Sequence, residues 1–103
     1  MAYFTYILRC ADGSLYTGIT TDLARRFNEH AGGRGCAGAK YTAARRPVAY
    51  ECAFLSPDRS SASKLEWKIK ALARSEKLRL IAGEEILPLE GYERADISGI
   101  YKE

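Results

Sequence analysis

Tyr6 and Tyr16 lie on either side of an Asp12-Gly13 turn signal, each inside a run of β-branched and aromatic residues, Tyr3 to Arg9 and Ser14 to Ile19. These runs predict a β-hairpin. A phenol hydroxyl can donate or accept a proton, so two of them on one face form a candidate acid–base pair, although a strand tyrosine is ordinarily a half-buried packing residue. Register decides between the two. With a two-residue loop, Tyr6 faces Ile19 and Tyr16 faces Arg9, and alternation sends the rings to opposite faces. With a three-residue loop, Ala11-Asp12-Gly13, in which Gly13 takes the left-handed conformation of a G1 bulge, Tyr16 opposes Leu8 and Tyr6 opposes Gly18. Both hydroxyls then share a face. Gly18 leaves space beside the Tyr6 ring, which either marks a close approach or is a local bend.

Three further residues carry chemistry at telling positions. Arg26 and His30 are four apart on the predicted first helix, one row around from the apolar pair Leu23 and Phe27, so they emerge at the edge of its buried face. Glu66 borders the apolar row Ala62, Leu65 and Ile69 of a second helix, with Lys70 one turn on as an ion-pair partner. Together these groups supply a candidate base, a phosphate clamp and a hard oxygen ligand for Mg²⁺.

The elements that must position them follow from local signals. Thr21 or Asp22 caps the first helix, and Gly32-Gly33 stops it after His30. Gly32 to Pro47 holds four glycines together with Arg34, Lys40, Arg45 and Arg46, and reads as a loop able to cradle phosphate. Val48 to Leu55 is a third strand, closed by Ser56-Pro57-Asp58. Ser60 or Ser61 caps the longer helix, and a break near Arg74-Ser75 permits a last one, Ser75 to Ala82, ended by Gly83. The order ββαβαα is α+β, a small three-stranded antiparallel sheet flanked by helices. Residues 1–83 form the domain and 84–103 an acidic C-terminal extension.

Composition agrees with one globular domain: 103 residues, 47% hydrophobic. The net charge of +3 hides an asymmetry, because residues 1–83 carry 14 Lys or Arg against 7 Asp or Glu, and residues 84–103 carry 2 against 6. A basic body suits an acidic partner, nucleic acid being the commonest. Cys10, Cys36 and Cys52 have neither an even count nor C-x-x-C spacing, which points away from a disulfide framework or thiolate zinc and towards a reducing cytoplasm. No apolar run is long enough for a membrane span.

The segments Phe4-Thr5-Tyr6-Ile7-Leu8 and Leu15-Tyr16-Thr17-Gly18-Ile19, then Asp22 to His30 with its Arg26-x-x-x-His30 pattern, then Glu66, resemble in order and spacing the GIY-YIG endonuclease family, specifically its short stand-alone bacterial members. The first motif stands without its Gly-Ile, and Asn28 is the sole asparagine. The resemblance implies phosphodiester hydrolysis with one divalent cation, Mg²⁺ or Mn²⁺, held by Glu66, leaving 5′-phosphate and 3′-hydroxyl ends. It implies Tyr6 as general base, Tyr16 as its hydrogen-bonding partner, Arg26 as phosphate clamp, and His30 as an orienting or proton-relaying group. A free tyrosine ionises at about 10, so Tyr6 needs positive charge nearby. The loop Gly38 to Thr42 also looks like a stretch common in the short members. Lys40, Arg45 and Arg46 would hold the nucleic-acid backbone, and Tyr41 would stack on a base or simply pack. The implied substrate is DNA rather than RNA, single-stranded or branched, in repair, recombination or processing. The alternative is a catalytically weak or inactive nucleic-acid-binding module of the same fold.

Overall fold

The computed structural model describes residues 2–32 and 47–98. Strands β1 (Tyr3–Cys10) and β2 (Leu15–Thr20) form the expected hairpin, and its turn settles the register. Gly13 has φ +85° and its amide donates to the Cys10 carbonyl, while the Cys10 amide donates to Ser14. Asp12 braces the turn by accepting from both the amide and the hydroxyl of Ser14. The three residues between Cys10 and Ser14 make the G1-bulge loop, so Tyr6 pairs with Gly18 and Leu8 with Tyr16.

Helix α1 (Leu23–Gly32) begins after Asp22, whose carboxylate accepts from the Arg25 amide at 3.0 Å. It runs two residues past the expected end at His30. Strand β3 (Pro47–Ser56) pairs antiparallel with β1, and an irregularity at Glu51 places Tyr50 opposite Leu8. Without that extra residue Glu51 would turn into the core and Tyr50 out of it. Helix α2 (Arg59–Lys70) is capped by Asp58, whose side chain accepts from the Ser61 amide at 2.7 Å, so it starts before the expected caps Ser60 and Ser61. Helix α3 (Arg74–Ile81) follows a short break, its entry closed by Glu76 accepting from the Ala73 amide.

Among the described residues the sheet has four strands, in the order β2-β1-β3-β4, where three were expected. Strand β4 is Glu93–Arg94, paired with Phe54 and Leu55. It is held by contacts absent from any local pattern: Arg94 lies 4.9 Å over the Phe54 ring and donates to the Leu80 carbonyl at 2.7 Å. Ile86, Leu87, Leu89 and Tyr92 of the acidic stretch also pack on the core, and the Tyr92 hydroxyl donates to Ser61.

Two apolar clusters occupy opposite faces of the sheet. Tyr6, Leu8, Tyr50 and Ala53 meet Leu23 and Phe27 of α1 on one face. Ile7, Cys52 and Phe54 meet Leu65 and Ile69 of α2 and Leu80 of α3 on the other. Among the described residues no helix is long and apolar enough to cross a membrane.

Candidate active site

Five of the residues singled out from sequence converge on one cleft of ≈ 260 Å³ beside the edge strand β2. Tyr6 comes from β1, Tyr16 and Gly18 from β2, Arg26 from α1 and Glu66 from α2. Because α1 and α2 cover opposite faces, their side chains can meet only around that edge.

Tyr6 is completely buried. The Tyr50 ring meets it edge-on at 5.1 Å between centroids, and the Tyr16 ring lies tilted at 6.4 Å. The space left by Gly18 is filled by these rings: a Cβ there would come within 2.6 Å of the Tyr6 hydroxyl oxygen, 2.8 Å of its Cζ and 3.2 Å of Tyr16 Cε2. The close approach expected at this glycine is made by the tyrosines themselves.

Arg26 is mostly buried and donates from Nε to the Tyr6 hydroxyl at 3.5 Å. Its Nη1 meets Glu29 Oε1 at 3.2 Å. The positive charge expected near Tyr6 is therefore present, yet it does not prevail. Burial pushes the Tyr6 hydroxyl up to about 12, against a smaller lowering by the Arg26 hydrogen bond and charge, and Tyr16 and Glu66 raise it further. Tyr16, by contrast, keeps part of its surface exposed.

Glu66 is partly buried, with its Oε2 3.3 Å from Lys70 Nζ. Among the described residues it is the single carboxylate lining the cleft. Among the described residues no cluster of three or more His, Cys, Asp or Glu side chains could hold a metal. One hard carboxylate oxygen does not suit zinc, but it does fit a cation such as Mg²⁺ or Mn²⁺, which keeps several waters and draws remaining ligands from substrate phosphate.

Arg59 and Ser63 also line the cleft, and sequence reasoning missed both. With α2 starting at Arg59, residues 59, 63 and 66 lie on one helical row, so the signal was legible once the cap was known. Arg26 and Arg59 extend as well into an adjoining depression of ≈ 280 Å³ that includes Arg25, Thr20 and Tyr3. Helix α1 passes through His30, whose side chain lies outside the described residues, as do Lys40, Tyr41, Arg45 and Arg46.

The tyrosines, arginine and glutamate singled out by the resemblance thus meet in one cleft, and the GIY-YIG catalytic domain is a nuclease-type fold whose substrates are nucleic acids. The family model described as the GIY-YIG catalytic domain matches residues 2–79, and the chain belongs to this family. Its similar relatives are UPF0213 proteins. One from Desulfotalea psychrophila is 49% identical over 84 residues, covering 82% of this chain and 74% of its own. One from Fusobacterium nucleatum is 38% identical over 103 residues, covering 98% and 100%. The solution NMR structure of a UPF0213 protein from Bacillus halodurans is 32% identical, covers 98% of this chain and 100% of its own, and has a TM-score of 0.48.

Proposed function

We propose that the chain is an endonuclease that hydrolyses phosphodiester bonds in DNA, single-stranded or branched, with Mg²⁺ or Mn²⁺ on Glu66. The observation that carries this reading is the single cleft in which Tyr6, Tyr16, Arg26 and Glu66 meet from four different elements. Each alone has a bland explanation as a packing ring or a surface charge. Their convergence has none as simple.

Arg26, with its planar fork of donors, binds the scissile phosphate and offsets charge developing on its oxygens. Arg59 adds a second cation on the opposite wall. The attacking water lies in the open part of the cleft, where it meets Tyr16, the tyrosine with exposed surface. Tyr6 lies behind it, fully buried, and burial raises its hydroxyl to about 12, so it keeps its proton at neutral pH. Tyr6 therefore serves as the proton-bearing partner that fixes the Tyr16 ring and the Arg26 fork, the reverse of the assignment implied by resemblance. A divalent cation held by Glu66 would supply Lewis-acid neutralisation of the phosphate. The burial of the Cys10 and Cys52 side chains suits a reducing cytoplasm.

The test is a cleavage screen in Mg²⁺ and in Mn²⁺ on single-stranded, duplex, flapped and branched DNA and on RNA. Glu66→Gln is expected to lose cleavage while retaining binding, and Tyr16→Phe to lose more rate than Tyr6→Phe. Absence of cleavage on every substrate, with salt-sensitive binding intact, would leave a nucleic-acid-binding module instead.

A further inference from the structure

Trp67 is the chain's single tryptophan, and it stands 73% exposed on α2. The helix buries Ala62, Leu65 and Ile69, so the indole points away from the core that could have used it. One exposed aromatic is ordinary by itself, and it marks a contact surface only where its neighbours suit a particular partner. Its surroundings indicate which kind. Trp67 shares a shallow depression with Lys64 and Lys68, and with Ser60 and Ser63. Ser63 lines both this depression and the cleft of Tyr16, Arg26 and Glu66, and Glu66 is the residue next to Trp67. The two surfaces are continuous.

We propose that Trp67, flanked by Lys64 and Lys68, is a stacking platform for an unpaired base of the strand whose phosphate enters the cleft. The inference rests on the cleft taking nucleic acid and adds how the substrate is selected. An indole face offers any base a stacking surface, and the two ammonium groups beside it complement the charge of neighbouring phosphates. A base inside a duplex cannot present its face without leaving the stack. The platform therefore favours single strands, flaps and frayed junctions over continuous duplex. A protein partner would also cover an indole, but lysines are depleted at the centres of protein interfaces and here they bracket the ring.

Because Trp67 is the sole tryptophan, its emission reports on the platform directly. The full chain in EDTA, where nothing is cleaved, is titrated at low salt with a short oligo-thymidylate. The same oligonucleotide, fluorescein-labelled, is followed by anisotropy. Saturable quenching with the same Kd as the anisotropy is expected, and a duplex of equal length should leave the emission unchanged. Trp67→Ala should weaken single-strand binding by about tenfold, and Trp67→Phe by much less. The exposure of the residue makes a folding defect no competing explanation. The proposal is overturned if the oligonucleotide fails to bind, if it binds without changing the emission, or if Trp67→Ala binds as well as the parent. Emission that changes with protein concentration alone would place a second copy there and overturn it too. Quenching in a chain that cleaves nothing removes the nuclease reading and keeps the platform. Cleavage without quenching does the opposite.

Discussion

Gly18→Ala adds one methyl group to the wall of the site and separates the placement of the tyrosines from the stability of the fold. The new carbon would sit 2.6 Å from the Tyr6 hydroxyl oxygen and 2.8 Å from its Cζ, well inside ordinary contact. Tyr6 cannot easily retreat, because it is fully buried with Tyr50 edge-on behind it. Overpacking of this kind costs about 1–3 kcal/mol. Gly18 does not need a positive φ, so alanine should return about 0.5–1 kcal/mol by limiting the unfolded chain. The net destabilisation is then about 0–2.5 kcal/mol, a fall in Tm of up to roughly 20 °C for a domain of this size. The effect on rate should exceed what that loss explains, since displacing reacting groups by about 1 Å can cost roughly 10²-fold. Circular dichroism melts give the first quantity. Single-turnover cleavage, run well below both melting temperatures, gives the second. A G18A chain that cleaves at the parental rate would show that the ring positions enforced by Gly18 are immaterial to the chemistry.

Arg59→Ala should weaken binding of a single-stranded oligonucleotide and flatten the dependence of log K on log salt by about 0.7, the amount expected for one lost phosphate contact; an unchanged slope would remove Arg59 from the substrate path. Alkaline pH should unfold the protein early. Burial holds Tyr6 up to about 12 and Tyr50 higher still, so below about pH 10 both states are protonated and nothing is lost. Above it the unfolded chain releases protons that the native state retains, and stability falls by about 1.4 kcal/mol per pH unit for each tyrosine, Tyr6 ceasing to contribute above about 12. Urea midpoints measured across this range should decline steeply in the parent and less so in Tyr6→Phe, and equal slopes would mean that Tyr6 is not held protonated by burial.

The hairpin was legible from its strand runs and turn signal, but the tyrosine pairing stayed open between a two- and a three-residue loop until the positive φ of Gly13 settled it, since one bulge decides every residue pair beyond it. Buried helix rows were legible for the same kind of reason, a period repeated over several turns. What escaped was set by long-range contact. Strand β4 is two exposed residues, Glu93 and Arg94, with no alternation to betray them. Its place is fixed by the Phe54 ring and the Leu80 carbonyl, far away in sequence. Arg59 escaped through a local ambiguity, since three candidate caps lie between Asp58 and Ser61 and choosing a serine leaves Arg59 outside the helix. The raised pKa of Tyr6 has no signature in the sequence, where a neighbouring cation can be counted but the loss of water around a ring cannot.

Each helix that brings a charged residue to the cleft is pinned to the sheet by a buried hydroxyl. Tyr50 on β3 donates to the Leu23 carbonyl at 2.7 Å, three residues before Arg26. Thr5 on β1 donates to the Ala62 carbonyl at 2.9 Å, four residues before Glu66. Both anchors lie about one turn ahead of the residue they serve, which is also the turn over which that residue's side chain leans. Apolar packing alone would tolerate a small rotation or slide of a helix, since dispersion contacts are weakly directional. A hydrogen bond to a chosen carbonyl does not tolerate it. A site assembled around the edge of a sheet, from helices on its opposite faces, needs such fixed points more than a site built within one layer. Tyr50 supplies one of them while also forming the back wall of Tyr6, so the same strand irregularity at Glu51 that turns Tyr50 inward sets both the position of Arg26 and the burial that keeps the Tyr6 proton in place.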